Sequence, residues 1–333
     1  MGRLIDKKKM KTKIVYTLVS DAADTYLEQA LLSVYSLRLY NPHIVVSLVV
    51  DQETGKTISG GRAEIKKYVT DIVEVEVPLE YSKVQKSRYL KTNLRKLIRG
   101  DYLFIDCDTI ICGSLEDIDK IDVEIGMVAD VNGDLALSDV KVLQRYKDAG
   151  FGDATGLPYF NSGVIYAKDT NQVHQFYEDW YTNWCRSDSN GVKYDQPALC
   201  ATNVKHGFLI KEISGVWNCQ FKYHNGYKLL DDALILHYYA NNGQGKRPHS
   251  QDRIFEYIKE KGGIDHVVAK LVRHPKTTLY TVMTINDDKA FEYFNSDMIY
   301  TYFNVPKAYR IACGVARMLE QPWGYISKHF KKH

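Results

Sequence analysis

Cysteine is sparse and unpaired in this chain: six residues in 333 form no C-x-x-C and no paired zinc-ligand spacing. That excludes the common structural zinc sites, and a chain this long builds its core without a disulfide framework. The cysteines read as free thiols in a reducing compartment. Long apolar runs are also missing; none reaches the roughly 18–20 residues needed to cross a bilayer. The N-terminal MGRLIDKKKMKTK is basic, but no apolar stretch follows it, and Asp6 stands where a myristoylation signal carries Ser or Thr. Neither a classical secretory signal nor an acyl anchor is expected, which points to the cytoplasm. Excess charge is lacking too. Lys and Arg number 44 against 41 Asp and Glu, a net charge of +3, so nucleic acid is not an expected partner. Finally, the chain has no G-x-G-x-x-G and no G-x-x-x-x-G-K-[ST], so any bound diphosphate must be neutralised by something other than a glycine loop.

What is present is ordinary globular material, 45% hydrophobic and 26% charged, arranged as alternating strand and helix patterns. Ile14–Ser20 is an apolar run. Thr25-x-x-Glu28 then spells a capping box, and Leu27, Ala30, Leu31, Val34 and Leu37 follow at helical spacing until Asn41-Pro42. A second β-branched run, His43–Val50, completes a βαβ unit and predicts a parallel sheet covered by helices. The rhythm continues as a helix near 60–69, a strand at 71–77, a helix at 87–99 and a strand at 101–106. Further strands are expected at Ile125–Asp130, Tyr159–Ala167 and Ala233–Tyr239, and a helix at about 171–185 carries Val173, Phe176, Trp180 and Trp184. After about residue 246 the pattern turns helical. The chain is therefore read as an α/β domain over 1–245 and a helical extension over 246–333.

The strand at 101–106 opens the stretch DYLFIDCDTIICGSL and leaves Asp106 and Asp108 one residue apart. Open α/β sheets bind ligands outside the carboxyl ends of their strands. In extended chain, residues i and i+2 point to one side, so both carboxylates reach a single Mg²⁺ or Mn²⁺ while Cys107 turns back. Taken alone, the pair reads equally as a solvated strand end.

Three later stretches decide between these readings. YFNSGVIYAKD (159–169), YDQPAL (194–199) and ILHYY (235–239), in that order behind D-x-D, resemble the motif series of the family 8 retaining glycosyltransferases. The resemblance covers roughly residues 14–243. It implies a GT-A fold, Rossmann-like with a mainly parallel sheet flanked by helices, followed here by a C-terminal helical extension. It also implies a UDP-linked sugar donor, a Mn²⁺ cofactor (or Mg²⁺) and transfer to a glycan, lipid-linked or protein acceptor. By motif position Asp106, Asp108 and His237 resemble the metal ligands. Asn161 resembles the sugar-side amide, and Asp195 and Gln196 the pair beside the anomeric carbon. Asp130 resembles the acid that holds donor hydroxyls, and Cys107 belongs to the same donor site. Arg88 and Lys91, three apart at an expected helix start, resemble the basic position near the donor. Val19, Ser20, Asp24 and Tyr26 match the nucleobase and ribose region. Read without the series, His237 is a core histidine, Asn161-Ser162-Gly163 a turn and Asp195 a helix cap.

The family often follows the histidine motif with Gly three residues on and Lys six on. Here Ala240 and Gly243 occupy those positions, so either the loop is rebuilt and Lys246 reaches the diphosphate in place of that lysine, or the contact is absent. Residues 131–158, with Tyr146 and Phe151, form a long polar segment expected to face an acceptor. The tail 305–333 carries Lys307, Arg310, Arg317, Lys328, Lys331 and Lys332 against Glu320, interleaved with Tyr309, Trp323, Tyr325 and Phe330. Such a segment suits either an anionic membrane surface or packing on the catalytic domain. Two other functions fit parts of the pattern. A sugar nucleotidyltransferase would carry a glycine-rich basic loop that is absent here; an inactive sugar-nucleotide or glycan-binding module would not need all six acids, amides and histidine.

Overall fold

The alternating apolar runs become the layers of an α/β sandwich. The computed structural model describes residues 10–133, 140–221, 224–238, 252–278 and 311. Its strands are β1 (Lys13–Leu18), β2 (Val46–Asp51), β3 (Asp71–Val75), β4 (Tyr102–Ile105), β5 (Thr109–Ile111), β6 (Ile125–Ala129), β7 (Phe160–Ala167), β8 (Ile210–Glu212) and β9 (Ile235–His237). The helices are α1 (Tyr26–Tyr40), α2 (Gln52–Thr57), α3 (Lys83–Thr92), α4 (Leu94–Leu97), α5 (Val140–Asp148), α6 (Asn171–Ser189), α7 (Gln196–Lys205), α8 (His224–Tyr227), α9 (Asp252–Lys261), α10 (His266–Val272) and α11 (Pro275–Thr278).

Seven strands form one sheet in the order β3-β2-β1-β4-β7-β6-β8, and β5 pairs with β9 in a separate two-stranded sheet. Within the larger sheet β7 alone runs against its neighbours β4 and β6. The other pairs, β1 with β2 and β4, β2 with β3, and β6 with β8, are parallel. The carboxyl ends of β1, β2, β4 and β6 therefore open on one edge, where β7 begins. Alternation along the strands divides the core in two. Ile14, Tyr16, Leu103 and Ile105 pack with Leu27, Leu31 and Val34 of α1 on one face. Val15, Tyr102 and Phe104 pack with Leu90 of α3 and Phe176 and Trp180 of α6 on the other.

Several local expectations are corrected. Thr25 makes no capping hydrogen bond, and Glu28, which would complete the box, is drawn instead to Arg62 at 3.3 Å, while Asp24 accepts from the Tyr26 N–H at 3.1 Å. The capping box forms instead at Ser82 and Gln85, so α3 starts well before residue 87, and Arg88 lies in its interior and Lys91 in its last turn, not at its start. Helix 60–69 is a 3-10 helix, Gly60–Lys67. The segment 131–158 contains α5, whose Tyr146 is buried against Phe151 with ring centroids 5.4 Å apart, so Tyr146 does not face an acceptor. Among the described residues of the stretch 233–239, three form β9, outside the main sheet.

By contacts the chain divides into Met1–Tyr280 and Thr281–His333. Within the first unit, Phe255 and Ile258 of α9 and Val268 and Val272 of α10 join the core that contains α1. Among the described residues no helix is long and apolar enough to cross a membrane. Lys246 and, apart from Ile311, the basic tail lie outside the described residues.

Candidate active site

Helix α3 crosses the open edge of the sheet and meets an acid at each step. Lys83 reaches Asp21 at 2.6 Å and Asp24 at 2.8 Å. Lys86 reaches Asp51, at the end of β2, at 3.1 Å. Arg88 pairs with Asp195 at 3.2 Å. Lys91 sits 2.9 Å from Asp106 and 3.7 Å from Asp195. Its ammonium also donates to the Ser162 carbonyl at 3.1 Å and lies 4.9 Å above the Phe104 ring. Only 1% of Lys91 is exposed, so its charge is spent beneath the acids rather than offered to solvent.

The D-x-D pair spans the step from one sheet to the other. The Asp106 N–H donates to the Gly163 carbonyl at 2.7 Å, which ties the end of β4 to β7. Shortly beyond it β5 begins and pairs Thr109 with His237 of β9. This register brings the imidazole to the acids: His237 Nε2 lies 3.2 Å from Asp108 Oδ1, and ligand atoms of Asp106, Asp108 and His237 fall within 4.8 Å of one another. Two hard carboxylate donors and one imidazole suit a first-row divalent cation or Mg²⁺. The backbone makes room for this set at Gly163, where a Cβ would fall on the His237 ring and stand 2.9 Å from its Nδ1. Burial raises the Asp106 carboxyl above its ordinary value despite Lys91. Burial also acts on Asp108, but the His237 charge and hydrogen bond outweigh it and hold that carboxyl low. Between them Cys107 donates to the Thr17 carbonyl at 3.3 Å, and burial pushes its thiol well up, so it is no nucleophile.

Asn161, Ser162 and Gly163 lie inside β7 rather than in a turn, at a register shift where β6 passes from Met127–Ile165 to Val128–Asn161 pairing. Asn161 donates to Asp130 at 3.0 Å. Ser162 donates to Asp195 Oδ2 at 2.8 Å. Asp195 occupies the N-cap position of α7, yet its side chain caps nothing; it is buried and turned toward Arg88, Lys91 and Ser162. Burial would raise its carboxyl, but those two cations dominate and hold it at about 2. Gln196 donates to the Phe160 carbonyl at 3.1 Å and also bonds Asp130. Burial lifts the Asp130 carboxyl, and the Asn161 and Gln196 bonds offset this only in part.

At the other end of the edge, Val19 and Ser20 follow β1. Ser20 donates to Asp24 at 2.6 Å and accepts from Arg62 at 2.8 Å. Tyr26 lies within electrostatic range of Asp24, Lys83, Asp108 and Arg88, which links this loop to the acids at β4. Lys259 of α9 donates to the carbonyls of Ala22 and Asp24, at 2.6 and 2.8 Å, and so braces the loop from outside the sheet.

The sequence motifs do not flag Asn218 and Gln220, which follow β8 and join the site through hydrogen bonds alone. Asn218 accepts from His237 Nδ1 at 3.0 Å and donates to Asn161 at 2.9 Å. Gln220 accepts from the Val131 N–H at 2.7 Å and donates to the Ala129 carbonyl at 2.9 Å. Together with the bond from Asn132 to the Asn218 carbonyl at 2.9 Å, these hold Val131 and Asn132 in left-handed backbone, both at φ 54°. For a β-branched residue that conformation is strained and persists only where its surroundings enforce it. Asp130 stands at the head of this clamped turn.

A family model for glycosyl transferase family 8 matches residues 17–248, more than half of the chain and every part of the edge just described. The chain belongs to glycosyltransferase family 8. This family 8 chain is accordingly a glycosyltransferase. No curated protein sequence matches it. Similar solved structures include the galactosyltransferase LgtC in complex with donor and acceptor sugar analogues, at a TM-score of 0.51 and 15% identity over 78% of this chain and 99% of that one. They also include an active-site mutant of LgtC (0.50, 14%, 77% and 98%) and the bifunctional glycosyltransferase WbbM in its apo form (0.51, 14%, 80% and 53%). At these identities the likeness concerns the fold, which is GT-A.

Proposed function

We propose that this glycosyltransferase moves a hexose from a UDP-sugar to a glycan, lipid-linked or protein acceptor, with retention of anomeric configuration and with Mn²⁺ or Mg²⁺ at Asp106, Asp108 and His237. The observation that carries the reading is the convergence of these three side chains within 4.8 Å at the sheet edge. That LgtC was solved with donor and acceptor sugar analogues on the same fold supports it.

Cleavage of the sugar–phosphate bond leaves negative charge on the nucleoside diphosphate, and a bound divalent ion would supply Lewis-acid stabilisation of it. The chain's own residues do the rest. Val19, Ser20, Asp24 and Tyr26 receive the nucleoside, and Arg88 supplies positive charge on the sugar side. Asp130 and Asn161 hold sugar hydroxyls. Asp195 and Gln196 stand beside an anomeric carbon that becomes oxocarbenium-like. Both Asp195 oxygens are already engaged, Oδ1 by Arg88 and Oδ2 by Ser162, which supports electrostatic stabilisation over a lasting covalent intermediate. Lys91 holds Asp106 and Asp195 from below, and Lys246 is assigned to the diphosphate. The basic tail is assigned to an anionic membrane surface, as at the inner face of a cell membrane; liposome co-sedimentation of the full chain against one ending near residue 300 checks it, and equal binding by both removes the assignment.

The test of the central reading is donor hydrolysis across a panel of UDP-sugars with Mn²⁺, which needs no acceptor. Turnover of at least one donor, lost in Asp106→Ala and Asp108→Ala, is expected. Undiminished turnover in either variant, or in the presence of a chelator, would remove the metal from the reading.

A further inference from the structure

We propose that Asn218 is a positioning residue: it fixes the tautomer of His237 through a one-way chain of hydrogen bonds that runs back to Asp130, and so couples the sugar-side acid to the metal ligand. The inference rests on the metal reading above.

The direction of the chain follows from donors and acceptors that have no choice. A backbone N–H can only donate, and that of Gly163 points at one terminal atom of the Asn161 amide at 3.0 Å. This atom is therefore the oxygen. The nitrogen of Asn161 then donates to Asp130 at 3.0 Å. Asn218 meets the same Asn161 oxygen at 2.9 Å, so the contacting atom of Asn218 is its nitrogen. That leaves the oxygen of Asn218 facing His237 Nδ1 at 3.0 Å. An oxygen accepts, so Nδ1 carries the proton. With Nδ1 so occupied, Nε2 is the nitrogen turned to the side where Asp108 lies at 3.2 Å: it donates to that carboxylate in the metal-free chain and offers its lone pair when a cation takes the proton's place.

Packing leaves the chain little freedom to reverse. Asn218 is fully buried. Its successor Cys219 is bridged to β9: Cys219 N–H donates to the Ile235 carbonyl and His237 N–H to the Cys219 carbonyl, both at 2.9 Å. The amide and the imidazole are thus carried on adjacent, bonded backbones. The Asn218 carbonyl in turn accepts from Asn132, just past Asp130 in the clamped turn. A sugar hydroxyl that engages Asp130 would pull on the same network that orients the metal-binding nitrogen. Partners of this kind around metal-ligating histidines are worth about 10–100-fold in metal affinity.

The experiment measures Mn²⁺ affinity of the full-length protein from the free-ion EPR signal, independent of turnover. Asn218→Ala should weaken Mn²⁺ binding by about 10-fold or more. Asn218→Asp keeps an acceptor for Nδ1–H but has no N–H for Asn161. It should therefore hold Mn²⁺ within about 3-fold of the wild type while the KM for the sugar donor rises, a split that general loosening of the fold would not produce. Mn²⁺ affinity in Asn218→Ala within about 3-fold of the wild type would overturn the proposal, as would equal losses in both variants. A measurement on the wild type stands apart from whether the variants fold: in the Mg²⁺-loaded protein, long-range ¹H–¹⁵N spectra should place the His237 proton on Nδ1, and a proton on Nε2 overturns the proposal. A wild type that binds no divalent ion at all would remove the metal reading and this proposal together, whereas normal binding unaffected by Asn218→Ala would remove only this one.

Discussion

The two ends of helix α3 carry the same chemistry in different surroundings. At its start Lys83 meets Asp21 with 46% of each side chain in water; at its end Lys91 meets Asp106 with 2% of the lysine exposed. The distances are 2.6 and 2.9 Å, so geometry does not distinguish the pairs. Solvent does. At the outer end water screens the charges and replaces either partner when it is removed. At the inner end the lysine is the nearest counter-charge for Asp106 and a second one for Asp195, and with 29% of the Asp106 side chain exposed water can replace it only in part. The outer pair can be lost, whereas the inner pair is part of what allows acids to be held at the carboxyl edge of the sheet at all.

The sharpest way to break the contrast is at the inner end. Lys91→Met keeps the length of the side chain and removes its charge, leaving Asp106 and Asp195 without it. Breaking a buried pair in this way costs about 3–5 kcal/mol, so chemical denaturation should show a large loss of stability, and donor turnover should fall with it. Gly163→Ala is expected to cost less in stability, about 1–3 kcal/mol from overpacking. It should nonetheless remove most activity, because the new methyl group displaces the His237 ring. Retention of wild-type Mn²⁺ affinity by Gly163→Ala would show that the ring has room that the structure does not indicate.

Acid titration sharpens the comparison without breaking it. Burial raises Asp195, but Arg88 and Lys91 dominate and hold it at about 2, below the ordinary carboxylate value of about 3.9. The unfolded chain therefore takes up this proton first as pH falls. Stability contributed by Asp195 is fully present above the ordinary carboxylate range and is lost as pH falls toward about 2. The difference in stability between wild type and Asp195→Asn should accordingly shrink over that window. A difference that stays constant from about pH 5 down to about 2 would contradict the assignment of the shift to Asp195.

The same contrast governs what could be read in advance. Asp106 and Asp108 were legible because two acids at i and i+2 stand out against the apolar run before them, and strand periodicity places both on one side. His237 was legible only through the order of the motifs, since the pairing of Thr109 with His237 that delivers it joins segments far apart in the chain. Lys91 was visible as a basic residue on a helix, but a helix pattern does not say that its ammonium is buried under two acids. Asn218 carries no pattern whatever: a single amide becomes meaningful only when Gly163, Asn161 and His237 surround it. Capping misled for a related reason. Thr25 and Glu28 have the spelling of a box, but Arg62, supplied by a later segment, competes for Glu28, whereas at Ser82 and Gln85 the local rule prevails and both bonds of the box form.

The outer end gives the smallest effect. In Lys83→Met the charge facing Asp21 and Asp24 disappears, but both acids keep other bonds. Asp21 still accepts from the Ala23 N–H at 2.8 Å, and Asp24 from Ser20 at 2.6 Å and from the Tyr26 N–H at 3.1 Å. Exposed pairs are worth about 0–1 kcal/mol, so unfolding should barely shift. Any consequence should instead show in donor binding, because Asp24 is assigned to the nucleoside and Lys83 is one of its supports. A modest rise in donor KM at unchanged kcat is the expected result, and it should be larger at low ionic strength, where an exposed lysine is less screened. A loss of stability matching that of Lys91→Met would mean that burial is not what separates the two ends of the helix.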